Sequence, residues 1–155
     1  MEYSAAMRPG DHSKLLEFIS PYAEPVQRIM LESRLKLWDM IAPVNEIFWD
    51  ATQTVCSGFT YTEKTNDCFV NLAIYANHVT LIFLWGVKLN DPEGRLRGEG
   101  SRVRNYRLVD ASTLDDPYIV DLIQQASDTA KRPAKPMEPI IIVKVMNGPK
   151  KRPTR

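Results

Sequence analysis

The sequence predicts an α+β domain in which two helices precede a run of strands, followed by a third helix and a final strand. Apolar residues between positions 24 and 41 repeat at spacings of three and four, which is typical of a helix. From Val44 onward they alternate with a period of two, as in strands, and Asp116 with Pro117 opens another helical pattern. The 155 residues, 44% hydrophobic and 25% charged, are suited to one such domain.

The two amino-terminal helices have clear boundaries in the sequence. A short amphipathic helix is expected before Pro21, and a longer one begins at Glu24 and Pro25, where proline occupies the tolerated first position, and ends at Pro43. The longer helix carries two adjacent apolar stripes, so we expect it to be a central core helix: Val26, Ile29, Met30, Leu37, Met40 and Ile41; and Leu31, Leu35 and Trp38.

Strands are predicted at residues 44–50, 54–62, 67–76, 78–86, 103–109 and 140–145. Asn77 and His78 form the predicted turn between the third and fourth strands, with Asn77 at positive φ. Pairing around that turn directs one set of side chains toward the helices: Val70, Leu72, Ile74, Leu81, Phe83 and Trp85. The opposite face is too apolar to face water alone, which predicts a second layer or a partner over it: Phe69, Asn71, Ala73, Tyr75, Thr80, Ile82 and Leu84.

The last helix is expected to start at Asp116 and Pro117, preceded by a capping box formed by Ser112 and Asp115. A proline-rich linker then leads to the final strand. The predicted organisation is a single domain over residues 1–146 and a basic mobile tail over residues 147–155.

The two cysteines are not expected to be linked. If they lie on two arms of a hairpin that turns near residues 63–66, Cys56 is opposite Ala73 and Cys68 is opposite Tyr61. A disulfide needs Cα atoms within about 7 Å. Both thiols are therefore predicted to be reduced and at least half-buried.

The net charge of +1 conceals an uneven distribution. Residues 131–155 carry eight Lys or Arg and one Glu, a charge of +7, whereas the rest holds 12 basic and 18 acidic residues, a charge of −6. The basic end could bind nucleic acid or an anionic surface, or fold back onto the acidic body. The chain has no apolar run of membrane-spanning length and no secretion signal pattern at its start, which predicts a cytoplasmic protein without membrane contact.

The segment LNDPEGRLRGEGSRVRNYRL, residues 89–108, contains three glycines and five arginines. Its spacing lacks the third glycine of a dinucleotide fingerprint and the Gly-Lys-Ser/Thr of a Walker loop, and a strand follows where a phosphate loop needs a helix. We interpret it as a structural loop at the edge of a pocket. The arginines that follow alternate between the two faces of the next strand and interleave with carboxylates, so they do not form one basic stripe.

The candidate ligand pocket combines this loop with the end of the first strand. Its predicted members are Trp49, Asp50, Asp91, Gly98, Gly100 and Arg104. An arginine on the apolar side of the sheet would need a carboxylate, and Asp50 is the predicted partner of Arg104. No nucleophile elbow or HExxH motif is present and His12 and His78 lack evident partners, so no catalytic residue is assigned and a binding module is preferred to an enzyme.

Several phrases of the sequence resemble the YdhG-like family of bacterial proteins over nearly the whole chain. The resemblance rests on FISPYAEPVQRIMLESRLKL, EIFWD, SGFTYTEK, NHVTLIFLWGVKLNDPEGRLRGEG, RVRNYRL, LDDP and IIIVKV followed by KKRPTR. It implies a curved antiparallel sheet of about five to six strands, with two amino-terminal helices and one carboxy-terminal helix packed on it. The positions Asp50, Asp91, Pro92, Gly98, Gly100, Arg104 and Lys144 match the family pattern.

The chain also departs from that pattern, which limits the functional residues that can be transferred. Relatives often carry aromatic-Asp-Asn-Tyr where this chain has Ala51 and Thr52 after Trp49 and Asp50, and Gly-Lys where it has Gly100 and Ser101. The expected function is a small cytoplasmic, non-catalytic module that binds a small ligand or a protein partner, with a second copy of the chain as a candidate partner.

Two alternatives remain open. The resemblance implies a frataxin-like iron chaperone, in which Asp121 and Asp128, seven residues apart on one face of the last helix, would hold iron weakly. Apart from that iron, no cofactor is expected. The second alternative is nucleic-acid binding through the basic tail, which rests only on that tail and the scattered arginines.

Overall fold

A computed structural model describes residues 12–154, and its fold is α+β, as predicted. Residues 1–11 of the predicted domain and Arg155 of the tail lie outside the described residues. The helices are α1 (Ser13–Ile19), α2 (Glu24–Ile41) and α3 (Pro117–Thr129). The strands are β1 (Asn45–Asp50), β2 (Val55–Thr60), β3 (Val70–Ile74), β4 (Val79–Phe83), β5 (Arg104–Leu108) and β6 (Ile141–Val145). Short 3₁₀ helices cover Thr65–Asp67, Gly86–Lys88 and Ala111–Asp115.

The strands form one six-stranded sheet in the order β5-β4-β3-β2-β1-β6. Neighbouring strands are antiparallel except β1 and β6, which are parallel. A parallel pair needs a long crossover connection, and the chain between β1 and β6 supplies one because it runs through four strands and α3. The two sheet edges are therefore β5 and β6.

The hydrophobic core lies between the helices and one face of the sheet. Leu15 and Ile19 of α1 and Met30 and Leu37 of α2 are fully buried in it. Five of the six side chains predicted to face the helices are buried there as well: Val70, Leu72, Ile74, Leu81 and Phe83. Trp85 is the exception, with 46% of its surface exposed, because β4 ends at Phe83 and the chain turns into a 3₁₀ helix.

The β3–β4 hairpin has the predicted faces but a different turn. Ile74 pairs with Val79, so the loop has four residues instead of the two-residue turn predicted at Asn77 and His78. No residue other than glycine in the described part of the chain has positive φ, so the prediction for Asn77 was wrong. The register moves by two residues, and because side chains alternate with a period of two, the same residues still share a face.

The opposite face of the sheet is partly covered by the chain itself. A Cβ atom added to Gly58 in β2 would lie 3.1 Å from the Cys68 sulfur and 2.7 Å from the Asn71 Oδ1 atom. The segment between β2 and β3 therefore folds back over this face. Ala73 is fully buried there, whereas Tyr75 is 37% exposed at the hairpin end.

A buried ion pair connects α2 to the sheet. Arg34 Nε lies 2.6 Å from a Glu46 carboxylate oxygen, and the Ser57 hydroxyl donates to the same oxygen. The guanidinium also lies over the Phe48 ring, 5.2 Å from its centroid. Burial raises the pKa of Glu46, although Arg34 and Ser57 act in the opposite direction. Sequence analysis missed this pair.

The start of α3 agrees with prediction at its cap but not before it. Asp116 is the N-cap residue, its side chain accepts from the Tyr118 backbone N–H, and Pro117 opens the helix. The predicted capping box of Ser112 and Asp115 is replaced by a 3₁₀ turn, in which Asp110 caps the Ser112 N–H. Within residues 12–154 no helix is long and apolar enough to cross a membrane.

Candidate ligand-binding cleft

The loop between β4 and β5 is held together around Asp91. Its carboxylate accepts the backbone N–H groups of Arg95, at 3.0 Å, and Leu96, at 2.9 Å. The Tyr118 hydroxyl of α3 donates to Asp91 and in turn accepts the Glu93 N–H at 3.0 Å. Partial burial alone would raise the pKa of Asp91, but the hydrogen bonds from Tyr118, Leu96 and Arg95 lower it overall. Asp91 is therefore the structural centre of the loop.

Arg95 fastens the same loop to the start of α3. Its guanidinium lies 2.8 Å from the Asp116 carboxylate and 3.1 Å from Glu93, and it stacks 4.2 Å from the centre of the Tyr118 ring. The interpretation of residues 89–100 as a structural loop agrees with these contacts. The Arg95 guanidinium is thus engaged by α3 and by the loop itself.

Two of the three loop glycines have conformations that favour glycine. Gly94 has φ +62° and Gly98 has φ +126°. Gly100 has open space around its Cα, so a side chain there would meet nothing within 4 Å. The closest approach is at Gly86 instead, where an added Cβ would lie 2.4 Å from the Cβ of Arg104.

The predicted pocket residues fall into two separate groups. Asp91 and Arg104 line one shallow depression of about 200 Å³, and the Arg104 guanidinium is 2.6 Å from the carbonyl oxygen of Gly100. Gly98 lies beside Arg104, because a Cβ on it would be 3.4 Å from the Arg104 Cδ. These four predicted residues are therefore brought together around one loop.

Trp49 and Asp50 lie elsewhere, and the predicted pair of Asp50 with Arg104 is wrong. Four strand spacings separate β1 from β5, which is roughly 19 Å. Asp50 pairs with Arg152 instead, at 2.5 Å, with Lys150 at 4.0 Å. The prediction was wrong because the order of the strands in the sheet cannot be derived from the sequence pattern.

The basic tail folds back onto the protein through those contacts. The Lys151 N–H donates to the Thr52 carbonyl at 2.7 Å, and Arg152 also donates to the Ala51 carbonyl at 2.7 Å. Of the two alternatives for the basic end, these contacts correspond to association with the acidic body.

The larger concavity next to the loop is a cleft of about 360 Å³ at the carboxy-terminal end of α3, here called the α3 cleft. Phe69 and Phe83 form its buried floor, and Leu89 joins it to the loop of Asp91. The other lining residues come from three segments. Ala126, Thr129, Ala130 and Lys131 lie in α3 or just after it, Asn66, Asp67 and Cys68 precede β3, and Trp85 and Lys88 follow β4. The volume lies within the range of small-ligand sites, about 300 to 1,000 Å³.

Positive charge surrounds the exposed indole at the rim of the α3 cleft. The Lys88 ammonium lies 4.7 Å from the Trp85 ring centroid, and the Arg102 guanidinium lies 5.1 Å from it. Lys131 contributes a third cation from the end of α3. Among residues 12–154, these three cations have no carboxylate within salt-bridge distance. Asp67 accepts instead from the Thr62 hydroxyl, at 2.7 Å.

Both cysteines are free, and Cys56 is paired with Ala73 as the hairpin argument predicted. Burial, with the nearby Asp67 charge, raises the pKa of Cys68 to about 12, and burial raises that of Cys56 to about 11. Thiols with such pKa values remain protonated at neutral pH and are weak nucleophiles. The Cys68 thiol is thus an inert part of the cleft wall.

The acidic face of α3 does not fit a shared iron site. Asp121 and Asp128 are seven residues apart, which is about 10.5 Å along a helix, too far for both to bind one cation. Asp121 accepts a hydrogen bond from Gln125 at 2.8 Å. In the described part of the chain no three His, Cys, Asp or Glu side chains are grouped as a metal site would require.

No protein-family model, curated protein or solved structure matches this chain. The resemblance to the YdhG-like family therefore stays a prediction.

Sequence analysis missed most of the α3 cleft, although one signal was available. Trp85 continues the alternation of β4, which predicts it on the core side. Gly86 follows it, however, and interrupts the strand pattern. A large aromatic residue beside the end of a strand and close to Lys88 would have indicated an exposed indole. The contribution of Lys131 depends on where α3 ends in space, which the sequence does not reveal.

Proposed function

We propose that this chain is a non-catalytic binding module of the YdhG-like type, and that its ligand occupies the α3 cleft. The observation that supports this proposal is the combination of an apolar floor, an exposed indole and three cations without a carboxylate partner among residues 12–154. Such a site suits a small organic anion with a flat apolar body. The proposal places the module in the cytoplasm, where its two free thiols remain reduced.

The apolar part of the cleft supports the flat body of that ligand. Phe83 is fully buried and Phe69 is 6% exposed, so the floor is fixed by the core rather than by mobile surface groups. Trp85 is 46% exposed at the rim, so a flat ligand would stack on the part of the indole that Lys88 and Arg102 leave open. Aromatic walls with a few placed polar groups are the usual composition of small-ligand sites.

The charged part of the cleft supports the anionic group. Lys88 and Arg102 both contact Trp85, so the indole places their charges beside the rim. An anion there would receive charge-assisted hydrogen bonds, which are about twice as strong as neutral ones. Because none of these cations pairs with a carboxylate of residues 12–154, binding would not have to break an ion pair within that part of the chain.

The chemistry of the cleft supports binding rather than turnover. The Cys68 thiol lines the cleft, and its pKa of about 12 keeps it protonated. A catalytic cysteine needs a lowered pKa and a neighbouring base or cation that stabilises the thiolate. Here burial and the neighbouring Asp67 charge raise the pKa of Cys68, and they outweigh the opposite effect of Lys144.

The test uses anilinonaphthalenesulfonate, an aromatic anion that fluoresces when bound to an apolar surface, with the full chain. We expect saturable binding at one site. The variant Lys131→Glu should weaken binding about tenfold, because reversing a charge beside a bound anion changes the free energy by about 1.4 kcal/mol. The matched control is Lys135→Glu, an exposed lysine four residues further on that does not line the cleft.

Trp85→Ala is the second variant and should also weaken binding, because it removes the stacking surface without changing the net charge. Unfolding midpoints by circular dichroism verify that each variant is folded. Equal affinity of the wild type, Lys131→Glu and Trp85→Ala would refute the α3 cleft as the site. Equal losses in Lys131→Glu and Lys135→Glu would show a diffuse attraction to the basic end instead.

A further inference from the structure

The two edges of the sheet differ sharply. On the β5 edge, the Asn105 N–H and carbonyl are both bonded to Arg97, at 2.8 Å each, so part of that edge is already occupied. Arg104 and Arg107 place two charges on β5 as well. Partial coverage and charge are the devices by which proteins prevent edge pairing.

Within residues 12–154, the β6 edge has neither device. The Glu46 N–H bonds to the Ile140 carbonyl, and the Met146 N–H bonds to the Asp50 carbonyl. Because alternate residues of a strand bond to the same neighbour, the even-numbered residues of β6 bond to β1. The backbone groups of Ile141, Val143 and Val145 therefore point outward from the sheet.

The side chains along this edge are apolar and exposed. Val143 is 42% exposed, Val145 is 61% exposed and Met146 is 44% exposed. The only charged residue in the strand is Lys144, and its ammonium bonds to the Thr65 hydroxyl and lies 6.0 Å from the Trp49 ring centroid. That charge is drawn back over its own sheet and away from the edge.

Several contacts of the segments on either side of β6 lie away from this edge. Before the strand, Arg132 stacks on the Tyr61 ring at 4.2 Å, at the end of α3. After the strand, Lys151 and Arg152 bind the β1–β2 turn, on the β1 side of the strand. In residues 12–154, no backbone hydrogen bond joins either segment to Ile141, Val143 or Val145.

We propose that two copies of this chain pair through their β6 strands, antiparallel and around a two-fold axis at Val143. In that register Val143 is opposite its own copy and Ile141 is opposite Val145. About six backbone hydrogen bonds join the copies, two for each pair of outward-facing residues. The two sheets become one continuous sheet of twelve strands, and the exposed valines of the two copies pack together.

The charge distribution of β6 favours a second copy as the occupant. In this register Lys144 is opposite Ile142 of the second copy and not opposite Lys144, so like charges are not opposed. The same edge is used on both sides, and because the β5 edge is partly occupied, assembly stops at two copies. A foreign strand would have no such built-in match of register and charge.

The experiment is analytical ultracentrifugation of the full chain from about 1 to 300 μM. A chain of 17.7 kDa should approach twice that mass, about 35 kDa, with a dissociation constant in the micromolar range that is typical of small interfaces. The first variant is Val143→Pro. Its missing N–H is one that points outward, so the β1–β6 bonds remain while the pairing of copies is blocked.

A second variant covers the case in which the proline variant fails to fold. Val143→Lys keeps the backbone N–H but sets two like charges opposite each other at the two-fold axis, so it should be monomeric over the same range. The matched control is Val109→Lys, which changes a valine that is 84% exposed next to the β5 edge, and it should remain dimeric.

Three outcomes would overturn the proposal. A wild-type chain that stays monomeric up to 300 μM leaves the β6 edge without a second copy, as expected if a foreign strand were its occupant. A dimer that persists in Val143→Lys places the interface elsewhere. Growth beyond two copies would mean that the β5 edge also pairs.

Discussion

At the scale of single residues, Arg34 and Glu46 form the most deeply buried ion pair among the described residues. The side chains are 7% and 1% exposed, so neither charge has water to compensate the loss of its partner. Taking two charges out of water offsets much of their attraction, so the intact pair adds little net stability. Removing only one partner, however, lowers the free energy of unfolding, because the other charge stays buried without compensation.

Arg34→Met should therefore lower the free energy of unfolding by about 3 to 5 kcal/mol at pH 8, because it leaves the Glu46 carboxylate buried and unpaired. Burial already raises the pKa of Glu46 above 4.5, and losing Arg34 removes its largest opposing effect. Protonation then relieves the penalty, so the loss should be smaller at pH 5 than at pH 8. Urea unfolding at the two pH values measures it.

Two controls bracket that result. Arg28→Met removes an exposed arginine of α2 that is 3.6 Å from Glu24 and should change stability by about 0 to 1 kcal/mol. The double variant Arg34→Met with Glu46→Leu should be more stable than Arg34→Met, because no charge is then left unpaired. A single-variant loss below about 1 kcal/mol would contradict the account.

The buried pair also shows what sequence reasoning could and could not provide. An arginine on the apolar side does pair with a carboxylate, but the pair is Arg34 with Glu46 and not the predicted Arg104 with Asp50. Arg34 lies on the apolar stripe of α2, four residues after Met30 and three before Leu37, and this spacing was readable. That Glu46 lies beneath it depends on how α2 crosses the sheet, which is a tertiary property.

At the scale of elements, the β4–β5 loop is stabilised by one carboxylate. Asp91 has a pKa below its ordinary 3.8, because hydrogen bonds to its ionised form outweigh partial burial. A lowered folded-state pKa means that the contribution is fully present above the unfolded pKa and is lost as the pH falls through the folded value. The loop should therefore loosen in acid.

Asp91→Ala should lower the free energy of unfolding by about 1 to 3 kcal/mol at pH 7, because two backbone N–H groups and the Tyr118 hydroxyl lose their acceptor. The difference from the wild type should shrink as the pH falls below about 3.8. Urea unfolding at pH 7, 5 and 3 tests the trend. Asp128→Ala removes an exposed carboxylate of α3 and should change stability by less than about 0.5 kcal/mol. A difference that grows toward pH 3 would refute the role of Asp91.

Element faces were more predictable than element ends. Alternation placed Leu72 and Leu81 on the core side correctly even though the hairpin register moved by two residues. Strand ends were harder, since Trp85 continues the pattern of β4 but lies beyond its last paired residue. Burial fixes the side on which a residue lies, whereas the end of a strand depends on local turns and neighbouring loops.

At the scale of the whole molecule, folding brings part of the basic end of the chain into contact with the acidic remainder. Residues 131–155 carry +7 and the remainder carries −6. Lys36 bonds to Asp115 within the acidic remainder, at 2.6 Å, while the tail is attached through Arg152 to Asp50. Any nucleic acid that used the tail would have to compete with Asp50 for Arg152.

The attachment of the tail to Asp50 should be visible as resistance to trypsin, which cuts after Lys150 and Lys151 only when that backbone is released. Asp50→Asn removes the charge that Arg152 contacts; the Asp50 side chain is 19% exposed. If the pair contributes about 1.4 kcal/mol, the variant should be cleaved roughly ten times faster than the native protein. Because the pair is partly exposed, salt should also speed cleavage of the wild type. Asp121→Asn, on the exposed face of α3, is the control and should leave the rate unchanged. Mass spectrometry of the released peptide identifies the cleavage site. Equal cleavage rates for the wild type and Asp50→Asn would contradict the role of Asp50. Backbone contacts such as Lys151 to Thr52 would then hold the tail by themselves.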